Sequence, residues 1–439
     1  MREKDSEFTF VDLFAGIGGF HQALSSLGGY CVGASEINKE AIEVYQKNFP
    51  NTIIFGDIEK EWKNLPNFDV LAGGFPCQPF SKAGNQQGFN DENSGNLFYT
   101  IINILKEHPE CKFIILENVK NLSDKNENWD VITKELKKLN FYITEDPLIL
   151  SPTQFEIPQL RERVYILGIR KDIRDSKKLI NGYIHMEELG DFNNLPKIRE
   201  GCRLNSINKI LEENPSEELF LTKKENKILE AWLEFKRLTK FDKPGVPIWL
   251  DFFGYNMTDT QFNNEKFNHI SKNQKGKQIR TLSLIKDMPE WKQKFIEKNR
   301  TFYIKHKVVI DNWIKKYDMT NEPLIYKKFE WNCGDYDIKD YTKTIVQFRQ
   351  SGIRVKVNNY FPTLVAINNT PIIYDETNKK LRRISPREAA NLQSFNKDFI
   401  LPDNKSAIYK QLGNAVNVEI VKRVFKKLEG FALGNWREL

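Results

Sequence analysis

The sequence predicts an α/β protein in which a sheet of parallel strands is covered by helices and a second, smaller domain follows. Three observations predict this class. Short apolar runs alternate with amphipathic ones over the first 170 residues, the alternation stops after Arg170, and one more amphipathic stretch covers residues 409–427. Such alternation is typical of parallel strands joined by helices. With 439 residues, 40% of them hydrophobic, the chain can bury one large core or two.

The elements of the first lobe follow one another closely. The successive runs are 8–14, 21–27, 30–36, 39–48, 52–57, 69–73, 97–106, 112–117, 129–139, 142–150 and 164–169. In an open parallel sheet, ligands bind beyond the carboxyl ends of the strands. We therefore expect functional residues at the predicted strand ends, which are the loop 14–20, Glu36, Asp57, the loop around Cys77, and Glu117.

The region after Arg170 shows mixed helical and extended patterns, is rich in Lys, Asn and aromatic residues, and contains no repeat. We expect it to form the second domain. Residues 266–307 carry twelve basic and three acidic side chains, a local excess of nine that is larger than the +7 of the whole chain. Interleaved aromatic residues favour a folded surface that faces phosphate, although a solvated Lys-rich helix face is the alternative.

Cys77 lies between Pro76 and Pro79, directly after an apolar run, in the sequence GGFPCQPFS at 73–81. Proline fixes its own φ and restricts the residue before it, so this loop holds a thiol stiffly at a strand end. The arrangement predicts a nucleophile, whereas a buried packing thiol is the alternative. The remaining cysteines fit a packing role, and they are Cys31, Cys111, Cys202 and Cys333.

Several functions and locations are disfavoured by the cysteine pattern and the apolar runs. No CxxC pair occurs, which argues against structural zinc, and we expect no metal. No apolar run reaches membrane length. The few cysteines and the charged N-terminus without an apolar targeting stretch indicate a reducing cytoplasm.

The glycine turn at 14–20, FAGIGGF, lies between an apolar run and a helical one, but it is not the GxGxxG of a dinucleotide site. Glu36 follows Gly16 by twenty residues, where a carboxylate can accept both hydroxyls of a ribose. Asp57 ends the next run, where it can accept from the exocyclic amine of adenine. Together these three ends predict an adenosine pocket. As alternatives, the glycines only form a turn and Asp57 caps the segment that begins at Glu59.

Seven sequence blocks give the chain a specific resemblance to the DNA cytosine-5 methyltransferase family. They occur in the order found in that family and span residues 12 to 416. The blocks are DLFAGIGG (12–19), GDI (56–58), GGFPCQPFS (73–81), ENV (117–119), QLRER (159–163), REAANLQ (387–393) and QLGNAV (411–416).

The resemblance implies the Rossmann-like fold of S-adenosyl-L-methionine-dependent methyltransferases, with an inserted target-recognition domain. We expect a catalytic domain at 1–184, a recognition domain at 185–380, a hinge at 381–408, and a segment at 409–439 that returns to the catalytic domain. The donor S-adenosyl-L-methionine and the product S-adenosyl-L-homocysteine would share one pocket. Its residues would be Phe14, Gly16, Ile17, Gly19, Glu36, Ile37, Asp57, Ile58, Pro76, Leu97, Asn414 and Val416.

The reaction implied by the resemblance assigns roles to several residues. Addition of the Cys77 thiolate to C6 of cytosine would make C5 nucleophilic, and the Glu117 carboxyl would meet N3 and the exocyclic amine. Arg161 and Arg163 alternate along the next strand and would point the same way, with Arg163 on the O2 side. Because a base within a duplex cannot reach the thiol, it must be flipped out. The expected DNA contacts are Ser81, Gln86 and Gln87 in a mobile loop, and Arg349, Arg354, Lys356 and Thr363.

Other functions are kept open at this point. Transfer RNA is the nearest rival substrate, a non-catalytic DNA-binding regulator would use the same fold, and an NAD-dependent dehydrogenase fits Glu36 but not the glycine spacing. By analogy with the family, we expect a bacterial, cytoplasmic and nucleoid-associated monomer that modifies double-stranded DNA. It would belong to a type II restriction-modification system, with a restriction endonuclease of the same target site as its counterpart.

Overall fold

The computed structural model describes residues 6–76, 95–124, 126–173, 183–240, 246–255, 266–272, 278–334, 338–364 and 370–433. The chain forms two compact units. The first unit comprises Met1–Glu212, Asn359–Asn368 and Ser385–Leu439, and the second comprises Glu213–Asn358 and Asn369–Ile384.

The first unit contains one eight-stranded sheet and helices on its faces. Its strands are β1 (Phe8–Leu13), β2 (Gly29–Ser35), β3 (Val70–Gly73), β4 (Phe113–Val119), β5 (Phe141–Thr144), β6 (Leu148–Leu150), β7 (Arg163–Arg170) and β8 (Tyr183–Ile184). Its helices are α1 (Gly19–Ser25), α2 (Lys39–Asn48), α3 (Ile58–Glu61), α4 (Gly95–Glu107), α5 (Asn126–Lys138), α10 (Pro386–Leu392), α11 (Lys405–Asn414) and α12 (Val418–Leu433).

Four parallel strands form one half of this sheet, in the order β2-β1-β3-β4. The sheet continues through β7, β5 and β8, and β7 runs antiparallel to β4, β5 and β6. The loops that follow β1, β2, β3 and β4 therefore emerge at the same edge. This topology confirms the predicted α/β class and brings the predicted functional loops together. The prediction of parallel strands was wrong for residues 164–169, which lie in the antiparallel β7.

One predicted strand is replaced by a single bridge. Residues 52–57 make only the isolated bridge between Ala34 and Ile54, with the Phe55 N–H donating to the Ala34 carbonyl at 2.8 Å. The turn at Gly56, whose φ is +62°, ends the extended backbone soon after this bridge. The segment still delivers Asp57 next to the end of β2, because the Ser35 hydroxyl donates to the Gly56 carbonyl at 2.9 Å.

The unit boundaries differ from the predicted domain boundaries at 184/185 and 380/381. Residues 185–212 belong to the first unit, where the Thr153 hydroxyl donates to the Ile198 carbonyl and the Asn391 side-chain amide donates to the Ile210 carbonyl at 3.1 Å. Residues 359–368 also belong to it, because Phe361 forms a parallel bridge with Gln159. These bonds join positions far apart in sequence, and local patterns do not encode them.

The second unit has a six-stranded sheet, a two-stranded ribbon and a helical layer. Its strands are β9 (Ile248–Trp249), β10 (Lys266–Lys272), β11 (Gln278–Leu284), β12 (Lys328–Asn332), β13 (Thr344–Arg349), β14 (Gly352–Val357), β15 (Ile372–Asp375) and β16 (Lys380–Arg383). Its helices are α6 (Lys223–Leu238), α7 (Glu290–Lys305), α8 (Lys307–Tyr317) and α9 (Leu324–Lys327).

An aromatic core holds this second unit together. The larger sheet has the order β16-β15-β13-β14-β12-β9, and β10 pairs with β11 alone. The rings of Trp232 on α6 and Phe329 on β12 are stacked with their centroids 4.8 Å apart, and Trp313 on α8 lies 5.0 Å from Trp232. Within the described ranges, no helix is long and apolar enough to span a lipid bilayer.

Candidate active site

Glu36 is fixed at the end of β2 by three backbone donors. Its Oε2 accepts a hydrogen bond from the Gly16 N–H at 2.8 Å, and its Oε1 accepts from the N–H groups of Ile37 and Asn38 at 2.9 and 2.8 Å. The carboxylate therefore ties the glycine turn after β1 to the turn after β2. Each oxygen keeps lone pairs for further donors such as ribose hydroxyls.

The glycine turn has positive φ angles at two positions, a backbone conformation that favours glycine. Gly16 and Gly18 have φ values of +55° and +91°, and a Cβ placed on Gly16 would meet nothing within 4 Å. Space next to Gly16 is thus open to a ligand. The space next to Gly19 is instead filled, because a Cβ there would lie 2.7 Å from Val416 Cγ2. Glycine at that position lets α1 and the segment after α11 approach closely.

Several apolar side chains among the predicted contacts differ in their burial. Ile37 is 73% exposed. Phe14 and Leu97 are half-buried against the core of the sheet. Ile17 and Ile58 are instead buried, and Ile58 belongs to that core, so only their backbone groups are available to a ligand.

Asp57 acts as the N-cap of the short helix α3. Its Oδ1 accepts from the Glu59 N–H at 3.2 Å, and its Oδ2 lies 3.0 Å from Lys60 Nζ. The hydrogen bond from Lys60 lowers the pKa of the Asp57 carboxyl. The capping role considered from the sequence is therefore confirmed, and 37% of the side chain stays exposed for a second partner.

Cys77, Ser81, Gln86 and Gln87 lie outside the described residues, which stop at Pro76 and resume with α4. The chain that leads to Cys77 is anchored at Phe75. The Asn118 side-chain amide on β4 donates to the Phe75 carbonyl at 3.2 Å, and the Phe75 ring is buried. The sequence reasoning gave Asn118 no role, although the residue lies within the ENV block.

Glu117 and Arg163 form an ion pair across neighbouring strands. Arg163 begins β7 and Glu117 lies in β4, where it pairs with Tyr165 in the ladder. Arg163 Nε lies 2.8 Å from Glu117 Oε1, and the side chains are 16% and 10% exposed. The distance is that of an ion pair, but among the described residues Glu117 Oε1 accepts no hydrogen bond. Burial, and secondarily the charge of Glu117, raises the pKa of the Tyr165 phenol.

Gly74 brings this ion pair next to the cofactor side of the site. A Cβ built on Gly74 would lie 3.5 Å from Glu117 Oε2 and 3.9 Å from Val416 Cγ1. The structure thus brings Glu117, Val416 and the glycine turn together at one sheet edge, next to the chain that enters the Cys77 loop. Strand ends predicted that Glu117 and the glycine turn share this edge, and the family resemblance implied the return of Val416, while the position of Gly74 between them was missed.

Arg161 has backbone partners, whereas Arg163 pairs with the Glu117 carboxylate. Arg161 lies two residues before the start of β7 at Arg163. Its Nη1 and Nη2 donate to the carbonyls of Gly413 and Ala415, both at 2.9 Å, and the side chain is buried. Arg161 therefore positions the segment 413–416, in which Asn414 is exposed and Val416 is buried.

The predicted DNA contacts fall in different parts of the chain. The Thr363 hydroxyl donates to the Leu160 carbonyl at 2.6 Å within the first unit, next to the QLRER block. In the second unit, Arg349 ends β13, and Arg354 and Lys356 lie in β14.

A Rossmann-like sheet with a carboxylate-anchored glycine turn, near a Glu–Arg pair and the chain that leads to Cys77, fits the methyltransferase class of protein. A sequence model of the "C-5 cytosine-specific DNA methylase" family matches residues 8–430 of the chain. The chain therefore belongs to the C-5 cytosine-specific DNA methylase family, which confirms the resemblance and the enzyme class inferred from the motifs. Membership implies S-adenosylmethionine as methyl donor and DNA as substrate.

Curated relatives are similar over nearly the whole chain. The chain is 31% identical to Type II methyltransferase M.AluI of Cellulosimicrobium cellulans, covering 97% of this chain and 93% of the relative. It is 32% identical to Type II methyltransferase M.BanI of Aneurinibacillus aneurinilyticus, covering 95% of each. The crystal structure of the S. pombe Dnmt2 methyltransferase superposes with a TM-score of 0.50 at 16% identity, covering 95% of this chain and 96% of that one, and shows a shared fold.

Proposed function

We propose that the protein transfers the methyl group of S-adenosyl-L-methionine to C5 of a cytosine flipped out of double-stranded DNA, through a covalent adduct of Cys77 at C6. The observation that carries this proposal is the shared sheet edge at which the Glu36-anchored glycine turn lies against Val416 and Gly74 lies next to both Val416 and Glu117 of the Glu117–Arg163 pair. Family membership makes transfer RNA a less favoured substrate, and it disfavours a non-catalytic regulator.

The residues around the glycine turn fit the donor. Glu36 would accept the ribose hydroxyls, Asp57 the adenine amine, and exposed Ile37 would cover the ring, with S-adenosyl-L-homocysteine as the product left in place. The remaining proposed contacts are Phe14, Gly16, Ile17, Gly19, Ile58, Pro76, Leu97, Asn414 and Val416. When bound, this cofactor supplies an electrophilic methyl group on a sulfonium.

The protein side of the reaction requires one thiolate and one carboxyl group. The Cys77 sulfur forms a bond to C6, and the electron pair displaced from the C5–C6 double bond makes C5 nucleophilic. Glu117 hydrogen-bonds N3 and the exocyclic amine, which favours that electron shift, and Arg163 holds Glu117 and faces O2. After C5 has gained the methyl group, loss of its proton expels the thiolate and restores the ring.

DNA binding supplies the flipped base. Extrusion of a base from the stack costs a few kcal/mol, which contacts to the duplex must offset. We assign these contacts to Ser81, Gln86, Gln87, Arg349, Arg354, Lys356 and Thr363. By analogy with the relatives, we further propose a monomeric modification enzyme of a bacterial type II restriction-modification system. It would act on DNA in the nucleoid, and its counterpart would be a restriction endonuclease with the same target site.

A trapping experiment tests the chemistry. A duplex with 5-fluorocytosine at the target blocks the last proton loss, so the wild-type protein should form a covalent adduct at Cys77 that mass spectrometry locates. The target is first found by bisulfite mapping of DNA methylated by the protein. Cys77→Ala should bind S-adenosyl-L-homocysteine normally and form neither adduct nor product. Methylation by Cys77→Ala would refute the nucleophile, and incorporation into transfer RNA alone would refute the substrate.

A further inference from the structure

Four charged side chains of the second unit meet on one face of its larger sheet. Glu330 and Lys328 lie two residues apart on β12, and Glu330 pairs with Arg354 of β14 in the ladder. Arg354 in turn pairs with Gln347 of β13, which places Arg349, two residues further on, on the same face. We call Lys328, Glu330, Arg349 and Arg354 the Glu330 cluster.

Glu330 is the centre of this cluster. Its Oε2 accepts a hydrogen bond from Arg354 Nε at 2.9 Å and lies 2.7 Å from Arg349 Nη2, while Lys328 Nζ is 3.2 Å from Oε1. The Glu330 side chain is 9% exposed and those of Arg349 and Arg354 are 16% and 33% exposed. Burial favours the neutral acid, but the hydrogen bond from Arg354 and the charges of Arg349 and Lys328 lower the pKa of Glu330.

The Glu330 cluster has more donors than acceptors. Three cations share one carboxylate, which leaves two positive charges in excess. Arg349 Nε and Nη2 are buried, and Nη2 lies 2.7 Å from Glu330 Oε2, so Glu330 holds this guanidinium in place. Arg354 is the more exposed arginine, at 33% against 16% for Arg349. The excess positive charge and the exposed part of Arg354 suit a ligand that supplies acceptor atoms.

The turn between β13 and β14 fixes the two arginines relative to Glu330. Arg349 and Gly352 pair across a two-residue turn. Gly352 has a φ of +120°, and a Cβ there would lie 2.6 Å from Lys328 Cβ and 2.8 Å from the Lys328 carbonyl. Only glycine allows this close approach, so the turn is seated directly on β12. A guanidinium held by a rigid sheet and a carboxylate has a defined direction.

We propose that Glu330 is a positioning residue that orients Arg354, together with Arg349, to donate to N7 and O6 of a guanine in the target sequence. The inference rests on the proposed function and assigns a specificity role within it. Arginine donating two hydrogen bonds to N7 and O6 is the commonest specific contact in the major groove. Glu330 binds Arg354 Nε and so fixes the direction of that guanidinium. A fixed direction matters for the paired N7 and O6 acceptors of one base and gives no sequence information in a phosphate contact.

The test uses the full-length protein and its bisulfite-mapped target duplex. Each guanine of the site is replaced in turn by 7-deazaguanine, which lacks the N7 acceptor and keeps base pairing. For the wild type, one replacement should lower kcat/KM by about 5- to 150-fold. Arg354→Lys should lower kcat/KM by the same factor on the unmodified duplex. On the duplex with 7-deazaguanine at that position, the variant should lose no further activity.

Glu330→Gln keeps the shape of the side chain and removes its charge. We expect a DNA KM about tenfold higher at an unchanged kcat, and bisulfite sequencing should show relaxed selectivity at the same guanine. Glu234→Gln is the matched control, because Glu234 pairs with Lys316 Nζ at 2.6 Å elsewhere in the second unit. This control should behave as the wild type.

Three results would overturn the proposal. One is the absence of any guanine whose N7 matters, and another is a folded Glu330→Gln protein with wild-type selectivity. The third is an Arg354→Lys protein that loses activity equally on all duplexes and whose DNA affinity depends less on salt, by about one phosphate contact. That result would make Arg354 a phosphate contact. If circular dichroism shows that Glu330→Gln is unfolded, Arg354→Lys alone decides. A wild type that methylates no DNA refutes the proposed function itself, and this inference with it.

Discussion

Arg163 Nε lies 2.8 Å from Glu117 Oε1, yet within the described part of the chain this oxygen accepts no hydrogen bond. The Glu117 side chain is only 10% exposed, so water does not easily satisfy it. The charge of Arg163 offsets part of the cost of burying this oxygen, and a ligand that supplies an aligned donor lowers that cost further. The relationship therefore favours a bound base as the further partner of Glu117.

Glu117→Gln tests this role in catalysis. The amide cannot exchange a proton with N3, so we expect the single-turnover methylation rate to fall by about 10²- to 10⁴-fold. Affinity for S-adenosyl-L-homocysteine should not change. The control is Glu162→Gln, whose carboxylate pairs with Lys120 at 3.3 Å and is 31% exposed. A Glu117→Gln protein with the wild-type rate would contradict the assignment.

Arg161→Lys tests the role of Arg161 in positioning residues 413–416. Lysine cannot reproduce the two parallel hydrogen bonds to the carbonyls of Gly413 and Ala415. We expect the dissociation constant of S-adenosyl-L-homocysteine, measured by calorimetry, to rise about tenfold, which corresponds to the loss of roughly 1.4 kcal/mol. Arg423→Lys, on the exposed face of α12, should bind as the wild type does. A lower turnover with unchanged affinity would instead favour a catalytic role.

Asp57 can be tested for two roles at once. Asparagine caps helices about as well as aspartate, so Asp57→Asn should keep the free energy of unfolding of the wild type. If Asp57 accepts from the adenine amine, the same variant should bind S-adenosyl-L-homocysteine at least tenfold more weakly. Asp57→Ala should lose affinity and also about 1 kcal/mol of stability. An Asp57→Asn protein with full affinity would show that Asp57 is only a cap.

The sequence predicted the sheet edge well because period-two and helical patterns are local. Strand ends alone placed Glu36 and Glu117 near the glycine turn. The backbone partners of Arg161 were missed because they lie 252 and 254 residues away. The contacts of Glu330 were also missed, since its arginine partners lie on two other strands. Pairing between distant segments is a property of the folded chain, so local patterns encode it poorly.

Asn118→Asp tests the anchor of the chain that enters the Cys77 loop. The variant keeps the acceptor for the Val119 N–H but loses the donor to the Phe75 carbonyl. We expect the free energy of unfolding to fall by about 1–3 kcal/mol. The single-turnover methylation rate should also fall, because Phe75, at the start of the chain that leads to Cys77, is no longer anchored. Asn103→Asp on the exposed face of α4 serves as control. Reduced stability with an unchanged rate would limit Asn118 to the fold.

His21 should make the stability of the first unit depend on pH. Its ring is buried against Phe49, with the centroids 3.7 Å apart, and Nδ1 lies 2.7 Å from the Tyr45 hydroxyl. Burial lowers the pKa of His21 from 6.5 to about 3. Between these values the unfolded chain binds a proton that the folded protein does not. The free energy of unfolding therefore falls as the pH drops through this window, by up to about 1.4 kcal/mol per pH unit.

His21→Gln isolates this contribution. Burial raises the pKa of nearby Asp12, which changes stability with pH in the opposite sense, but Asp12 is present in both proteins. Urea unfolding between about pH 7.5 and 4.5 should therefore give a smaller loss of stability for His21→Gln than for the wild type, with the difference growing below pH 6.5. The absolute stability of the variant does not matter for this comparison, because only the slopes are compared. Parallel pH profiles would mean that His21 titrates alike in the folded and unfolded chains, and that its ring is accessible to protons in the native state.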